Sequence, residues 1–298
     1  MHSSTVHIHE PLWRGGQTLG DPAFFPLLLP DNRHAPWREF RIFVDFWRRG
    51  NHRNAGMTGI FSSKFQLKAG ISGEQFLSFA RQHPDAEVCL VNVFPNIPYY
   101  SYNVWMHGEA SHPGLLARAQ ALLDATGIGW DLAATPRHNR NNLCYGNFWV
   151  GTPHFWDLYV GGILDPIARF LEAHPGSAEA QAVLEPANYM VDAPFLPFVV
   201  ERLFSTFLSR HPEIPVASLQ DAVKAMSGTN TEFRRAVAAH MKHRVDQADA
   251  TGQFPPELIK EQALFSRLTA LYYDLYFSVN PHPHNTAAPR PGGAGNVS

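Results

Sequence analysis

The chain has 298 residues, 45% hydrophobic and only 17% charged, which supplies enough apolar side chain for a packed core and excludes an extended disordered protein. Its formal net charge is −2, so no global field draws it to nucleic acid or to an anionic membrane. Two cysteines, Cys89 and Cys144, allow at most one bridge and exclude a disulfide framework.

The N-terminal residues contain no apolar signal-like run, and no stretch approaches the ~18 apolar residues that a membrane span needs. A reducing cytoplasm is therefore the expected location, with no nucleic-acid partner and no membrane span. Rings are abundant, with 16 His, 7 Trp, 9 Tyr and 21 Phe. That content suits contact with a flat polar ligand such as a sugar or a base, and it equally suits an aromatic core. The basic cluster Arg48, Arg49, His52 and Arg53 reads as a solvated turn.

Val6 to His9 reads as a first strand, followed by a turn-rich stretch over Trp13–Asp21. Phe24 to Leu29 is bracketed by prolines and is expected to be extended. Trp37, Phe40, Phe43 and Trp47 share one helical face. Gly56 to Lys64 is strand-like, and Ser72 caps a helix that runs to Gln82. Val88–Phe94 is the clearest buried strand, stopped at Pro95. His112-Pro113-Gly114 opens a helix to Thr126 that Gly127 ends. Leu143–Val150 reads as a second buried strand, with Tyr145, Asn147 and Trp149 on one face. Thr152 caps a long helix with Pro153 in its first position, which Gly161-Gly162 and Pro166 interrupt or kink. From about residue 176 the pattern is helix upon helix: Leu196–Ser209, Ser218–Met226, Thr231–Asp249 and Pro256–Phe277. The expected fold class is thus α/β. A domain over 1–174 is followed by a helical region over 175–277 packed on it and a disordered tail over 278–298.

No phosphate-binding loop, dinucleotide fingerprint, nucleophile elbow or Cys-x-x-Cys pair is present. The densest chemical run is His107-Gly-Glu109-Ala-Ser-His112. Its order is wrong for a zincin helix, and on a helix residues 107 and 112 lie about 140° apart, so no metal site is expected there. Ser62, Lys64 and Lys68 form a polar, cationic stretch suited to a diphosphate, and the helix start at Pro113 offers free backbone N–H groups for the same purpose.

Three ordered blocks carry a resemblance. Gly59-Ile-Phe-Ser62-Ser-Lys64-Phe with Lys68-Ala-Gly70 is the first. The second is Asn103-Val-Trp105-x-x-Gly-Glu109-x-x-His112-Pro-Gly114. The third is Cys144-Tyr145-x-Asn147-Phe-Trp149-Val, followed by Phe155-Trp156. Together with Arg38-Glu39 they resemble a family of uncharacterised bacterial glycosyltransferase-like proteins associated with polysaccharide biosynthesis, over roughly residues 6 to 170. The resemblance implies a nucleotide-sugar-transferase-like (GT-A-like) sheet and transfer of a sugar from a nucleotide-sugar to a glycan or other hydroxyl acceptor. It makes Glu109 the base, assisted by His112. Lys64 and Lys68 face the diphosphate, and Ser62, Asn103, Trp105, His107, Tyr145, Asn147 and Trp149 bind substrate.

Strand Val88–Val91 runs into Asn92-Val-Phe94, where such enzymes commonly carry an Asp-x-Asp metal clamp. The expected mechanism is therefore one without that site, with the nucleotide-sugar as co-substrate. The missing motif also supports a second reading, a non-catalytic glycan- or partner-binding module, and the apolar helical half leaves room for a homo-oligomer. A third reading, metal-dependent hydrolysis at His107, Glu109 and His112, has the least support.

Overall fold

Strands β1 (Val6–Leu12), β2 (Phe25–Leu28), β3 (Met57–Ile60), β4 (Val88–Val91), β5 (Trp149–Gly151) and β6 (Val216–Leu219) form one sheet in the order β2-β1-β3-β5-β4-β6. They belong to a computed structural model that describes residues 5–14, 16–29, 31, 34–187, 193–220 and 231–282. Every residue of β3 and β4 is buried, as expected of strands covered on both faces, whereas β1 alternates between buried and half-buried positions. β2, β1 and β3 are parallel, β4 and β6 are parallel, and β5 is antiparallel to both β3 and β4. Five strands therefore point one way, and their carboxyl ends meet the start of β5 at one edge. In open α/β sheets that edge is where ligands bind.

The expected α/β class holds, and several helices follow from their caps. Helices α1 (Glu39–Arg48) and α2 (Phe65–Ala69) precede α3 (Gly73–Arg81), where Ser72 and Gln75 form a reciprocal capping box. Then come α4 (Ile97–Tyr100), α5 (Val104–Ser111) and α6 (Leu115–Thr126). The long helix after β5 starts as α7 (Pro153–Trp156), with the Thr152 hydroxyl accepting the Phe155 N–H. It widens to a π-helical segment over Asp157–Leu164, where the glycine pair lies, and returns to α form as α8 (Asp165–Ala173). Helices α9 (Ala178–Leu184), α10 (Phe195–Arg210), α11 (Glu232–Thr251) and α12 (Pro256–Val279) complete the described chain.

Four expectations are corrected. Leu143–Val150 is not a continuous strand: Gly146 and Asn147 take φ of 77° and 54°, so pairing starts only at Trp149 and the predicted face of Tyr145, Asn147 and Trp149 is broken. The segment 103–114, expected to be a loop that meets the strand ends near 92 and 147, is instead helical over Val104–Ser111, because the Asn103 side chain accepts the Trp105 and Met106 N–H groups. Ser218 and Leu219 lie in β6, drawn into extended form by parallel pairing with β4; residues 221–226 of the helix expected there lie outside the described residues. Finally, α12 continues through Ser278 to Val279, past the expected start of a tail, and residues 283–298 lie outside the described residues.

One apolar core runs from β1 to α12, with residues from both sides of position 174. At its centre Trp149 is stacked between Phe43 of α1 and Phe204 of α10, with ring centroids 5.3 and 5.2 Å away. Helix α10 is buried over most of its length, so its polar groups need partners. Ser205 Oγ accepts the Cys144 N–H at 3.0 Å, Thr206 Oγ1 accepts the Trp105 Nε1–H at 2.8 Å, and Arg202 donates to the Val104 and Phe198 carbonyls. These bonds fix α5 and the segment before β5 to one helix.

Candidate functional site

A cavity of about 440 Å³ opens at the carboxyl edge of the sheet. That is an ordinary size for a small-molecule site. Its floor is the chain after β4 (Val93, Phe94, Ile97) and the turn before β5 (Tyr145, Gly146). Helix α5 and its C-terminal end supply His107, Ser111 and His112. Helix α10 supplies Phe198, Glu201 and Arg202, α11 supplies Arg234, and α12 supplies Tyr273, Asp274 and Phe277. Lys68 of α2 also lines it.

Three cations and several rings thus face one space. Arg202 is 2% exposed, with its guanidinium carbon 5.6 Å from the Tyr145 ring centroid. Arg234, also buried, lies 4.3 Å over the Tyr273 ring. Lys68 Nζ stands 5.8 Å from the Phe148 ring. Charges placed against aromatic faces keep part of their electrostatic stabilisation when water leaves. Gly108 explains how Arg202 reaches the site: a Cβ there would lie 2.3 Å from Arg202 Nε.

Burial, with Arg202, Arg234 and His112 adding to it, holds the His107 pKa well below the usual histidine value, so the ring is neutral. Its Nδ1 lies 3.0 Å from the Tyr145 hydroxyl, whose own pKa burial pushes up. His112 stacks on Phe198 at 4.0 Å. Glu201 Oε1 accepts the Gly146 N–H at 2.8 Å, which holds the left-handed turn against α10.

Beside Lys68 and Glu201 lies Glu39, the first residue of α1. It remains open to solvent, yet protein atoms crowd its carboxyl. Burial raises its pKa above the usual carboxylate range. Lys68 pulls back, Glu201 raises it further, and Arg38 and a hydrogen bond from Asn147 lower it. Arg38 (φ 50°) and Asn147 are the non-glycine residues with positive φ among those described, and both act on the Glu39 carboxyl. Such conformations cost about 1–3 kcal/mol each and gather at functional sites.

The structure brings together Lys68, His107, His112 and Tyr145, with Asn147 adjacent through Glu39. Lys64 is the N-cap residue of α2, and its charge reaches buried His282, whose Nε2 meets the Tyr273 hydroxyl at 2.7 Å. The Ser62 hydroxyl is buried at the end of β3 without a protein partner among the described residues.

The other predicted residues point elsewhere. Glu109 accepts the Gly114 and Leu116 N–H groups and so caps α6; it lines a second cavity, of about 720 Å³, on the far side of α5. Asn103, which caps α5 and donates to the Thr135 carbonyl, and buried Trp105 line that same second cavity, while Trp149 is a core residue. Because Glu109 faces away from His107 and His112, the three do not converge, and no group of three or more His, Cys, Asp or Glu placed to hold a metal occurs among the described residues.

Sequence reasoning missed Glu201, Arg202 and Arg234, and it noted Glu39 only within the Arg38-Glu39 pair. A signal was present, since Glu201-Arg202 is the only charged pair inside the apolar run 195–208, and buried charge requires partners. Among the described residues no helix is long and apolar enough to cross a membrane. No protein-family model, curated protein or solved structure matches the chain.

Proposed function

We propose that the protein is a glycosyltransferase-like enzyme of the cytoplasm that transfers a sugar from a nucleotide-sugar donor to a glycan or other hydroxyl acceptor. The observation that carries this reading is the cavity itself: Lys68, Arg202 and Arg234 converge between aromatic walls at the carboxyl edge of the sheet. Fixed cations answer the charge of a diphosphate, and rings answer the faces of a base or a sugar. A GT-A-like arrangement of the sheet belongs to the same proposal, supported by the mixed sheet and the position of the cavity.

In a single displacement the acceptor oxygen bonds to the anomeric carbon as the bond from that carbon to the β-phosphate oxygen breaks. The electron pair leaves with the diphosphate, beside Lys68, Arg202 and Arg234. Glu39 takes the hydroxyl proton, a role for which a raised carboxyl pKa is suited. Neutral His107, held by Tyr145, orients the sugar by hydrogen bonds without adding charge.

Titration calorimetry with a panel of nucleoside diphosphates and nucleotide-sugars tests this. At least one should bind, and Lys68→Met should weaken it about tenfold, the scale of one charge-assisted contact. A folded protein that binds none of them overturns the reading. Oligosaccharide binding with no response to nucleotides would instead establish the binding-module alternative.

A further inference from the structure

Helix α12 turns an unusual face outward. Leu264, Leu268, Leu271 and Leu275 are 54%, 39%, 58% and 62% exposed, while Leu258, Gln262, Ser266, Thr269 and Ala270 face the protein. Steps of four, three and four residues place the leucines in one narrow stripe, the a/d seam of a coiled coil rather than the broader stripe of a helix packed on its own domain. At ~100° per residue, the stripe is centred opposite the buried face and is about 16 Å long.

The flanking charges select the occupant. Arg267 and Asp274 are both exposed, seven residues apart on the same side of the stripe. When a second copy of α12 is laid antiparallel on the first, Leu264 meets the partner's Leu275 and Leu268 meets the partner's Leu271. The same register sets Arg267 against the partner's Asp274, and the two-fold axis repeats that pair. On the opposite flank, Phe265 meets the partner's Tyr272. In a parallel pairing Arg267 would face a tyrosine, and neither charge would gain a partner. A surface that complements its own reversed copy has the property of an isologous interface.

We propose that the protein forms an antiparallel homodimer through the outward face of α12, sealed by the four leucines and registered by reciprocal Arg267–Asp274 ion pairs. Sedimentation equilibrium of the full chain tests it. The wild type should be dimeric in the micromolar range, and Leu268→Glu with Leu271→Glu should be monomeric yet folded, with the wild-type circular dichroism spectrum and a Tm no lower than that of the wild type diluted to its monomeric form, because both side chains are exposed in the monomer. Arg267→Asp or Asp274→Arg alone should weaken the dimer about tenfold, the upper range for exposed ion pairs counted twice. The two together should restore it. A wild type that stays monomeric throughout that range, or a dimer indifferent to the leucine changes, overturns the proposal. Failure of the double charge swap to restore pairing overturns the antiparallel register.

Discussion

The two sides of α5 carry residues from one short motif and do different work. On one side His107 and His112 face a cavity with two buried guanidiniums; on the other, Glu109 and Asn103 satisfy helix ends beside a larger cavity. Helical geometry makes the division, since positions 107 and 109 lie about 200° apart. Chemical density along a sequence is therefore a poor guide to density in space. His-x-Glu reads as an acid–base pair on paper, but the fold separates the two side chains by a helix.

The largest expected effect contrasts the two glutamates. Glu39→Gln should lower the transfer rate by about 10²–10⁴-fold, the usual scale of general base catalysis. Glu109→Gln should leave the rate within about threefold but cost about 1 kcal/mol in a urea melt, the scale of a lost helix cap. The wild-type rate should fall on acidification through a pKa above the ordinary carboxylate range, because Glu39 must be ionised to accept a proton. Steady-state kinetics at several pH values with both variants decides it; a dead Glu109→Gln would return the base to the far side of α5.

A second contrast separates stability from binding within α5. Gly108→Ala removes a poor helix former, a change that favours the helix by about 1 kcal/mol. Its Cβ would nevertheless collide with Arg202. Nucleoside-diphosphate affinity measured by calorimetry should therefore drop about tenfold or more, since overpacking of this kind costs about 1–3 kcal/mol. Unchanged affinity would detach Arg202 from the ligand.

A third contrast concerns the start of α5, where the Val104 N–H donates to His138 Nδ1 at 3.1 Å. Burial, with Arg137 adding to it, lowers the His138 pKa from 6.5 to about 3. The unfolded chain therefore takes up a proton below pH 6.5 that the folded chain refuses, and stability falls as pH falls. The loss is about 1.4 kcal/mol per pH unit between those two values. Urea melts at pH 7 and pH 5 should show His138→Asn losing about 2 kcal/mol less than the wild type over that interval.

Legibility followed the range of the interaction that forms each element. The Ser72 cap, the buried run Val88–Val91 and the Thr152-Pro153 helix start are specified by neighbours in sequence, and they were readable there. β6 was not, because Val-Ala-Ser-Leu has no strong strand signal and becomes extended only through pairing with β4. The turn at Gly146-Asn147 needs Glu201 of α10 to hold it, so an alternation argument through residue 147 fails. Lys68, His107 and His112 stand out by local chemistry, and Tyr145 enters through the resemblance. Arg202 and Arg234 belong to the second half of the chain, and only the tertiary fold carries them to the sheet edge.

The late arrival of β6 has a consequence for synthesis. Its partner Val88–Val91 is an apolar tetrapeptide whose outer edge stays unpaired until a segment 125 residues further along emerges. At ~5–20 residues per second that interval is on the order of ten seconds. Through it the nascent chain carries an open, sticky strand edge of the kind that recruits other chains. A fragment ending near residue 174 would keep that edge permanently, so the N-terminal half made alone is the form most exposed to aggregation.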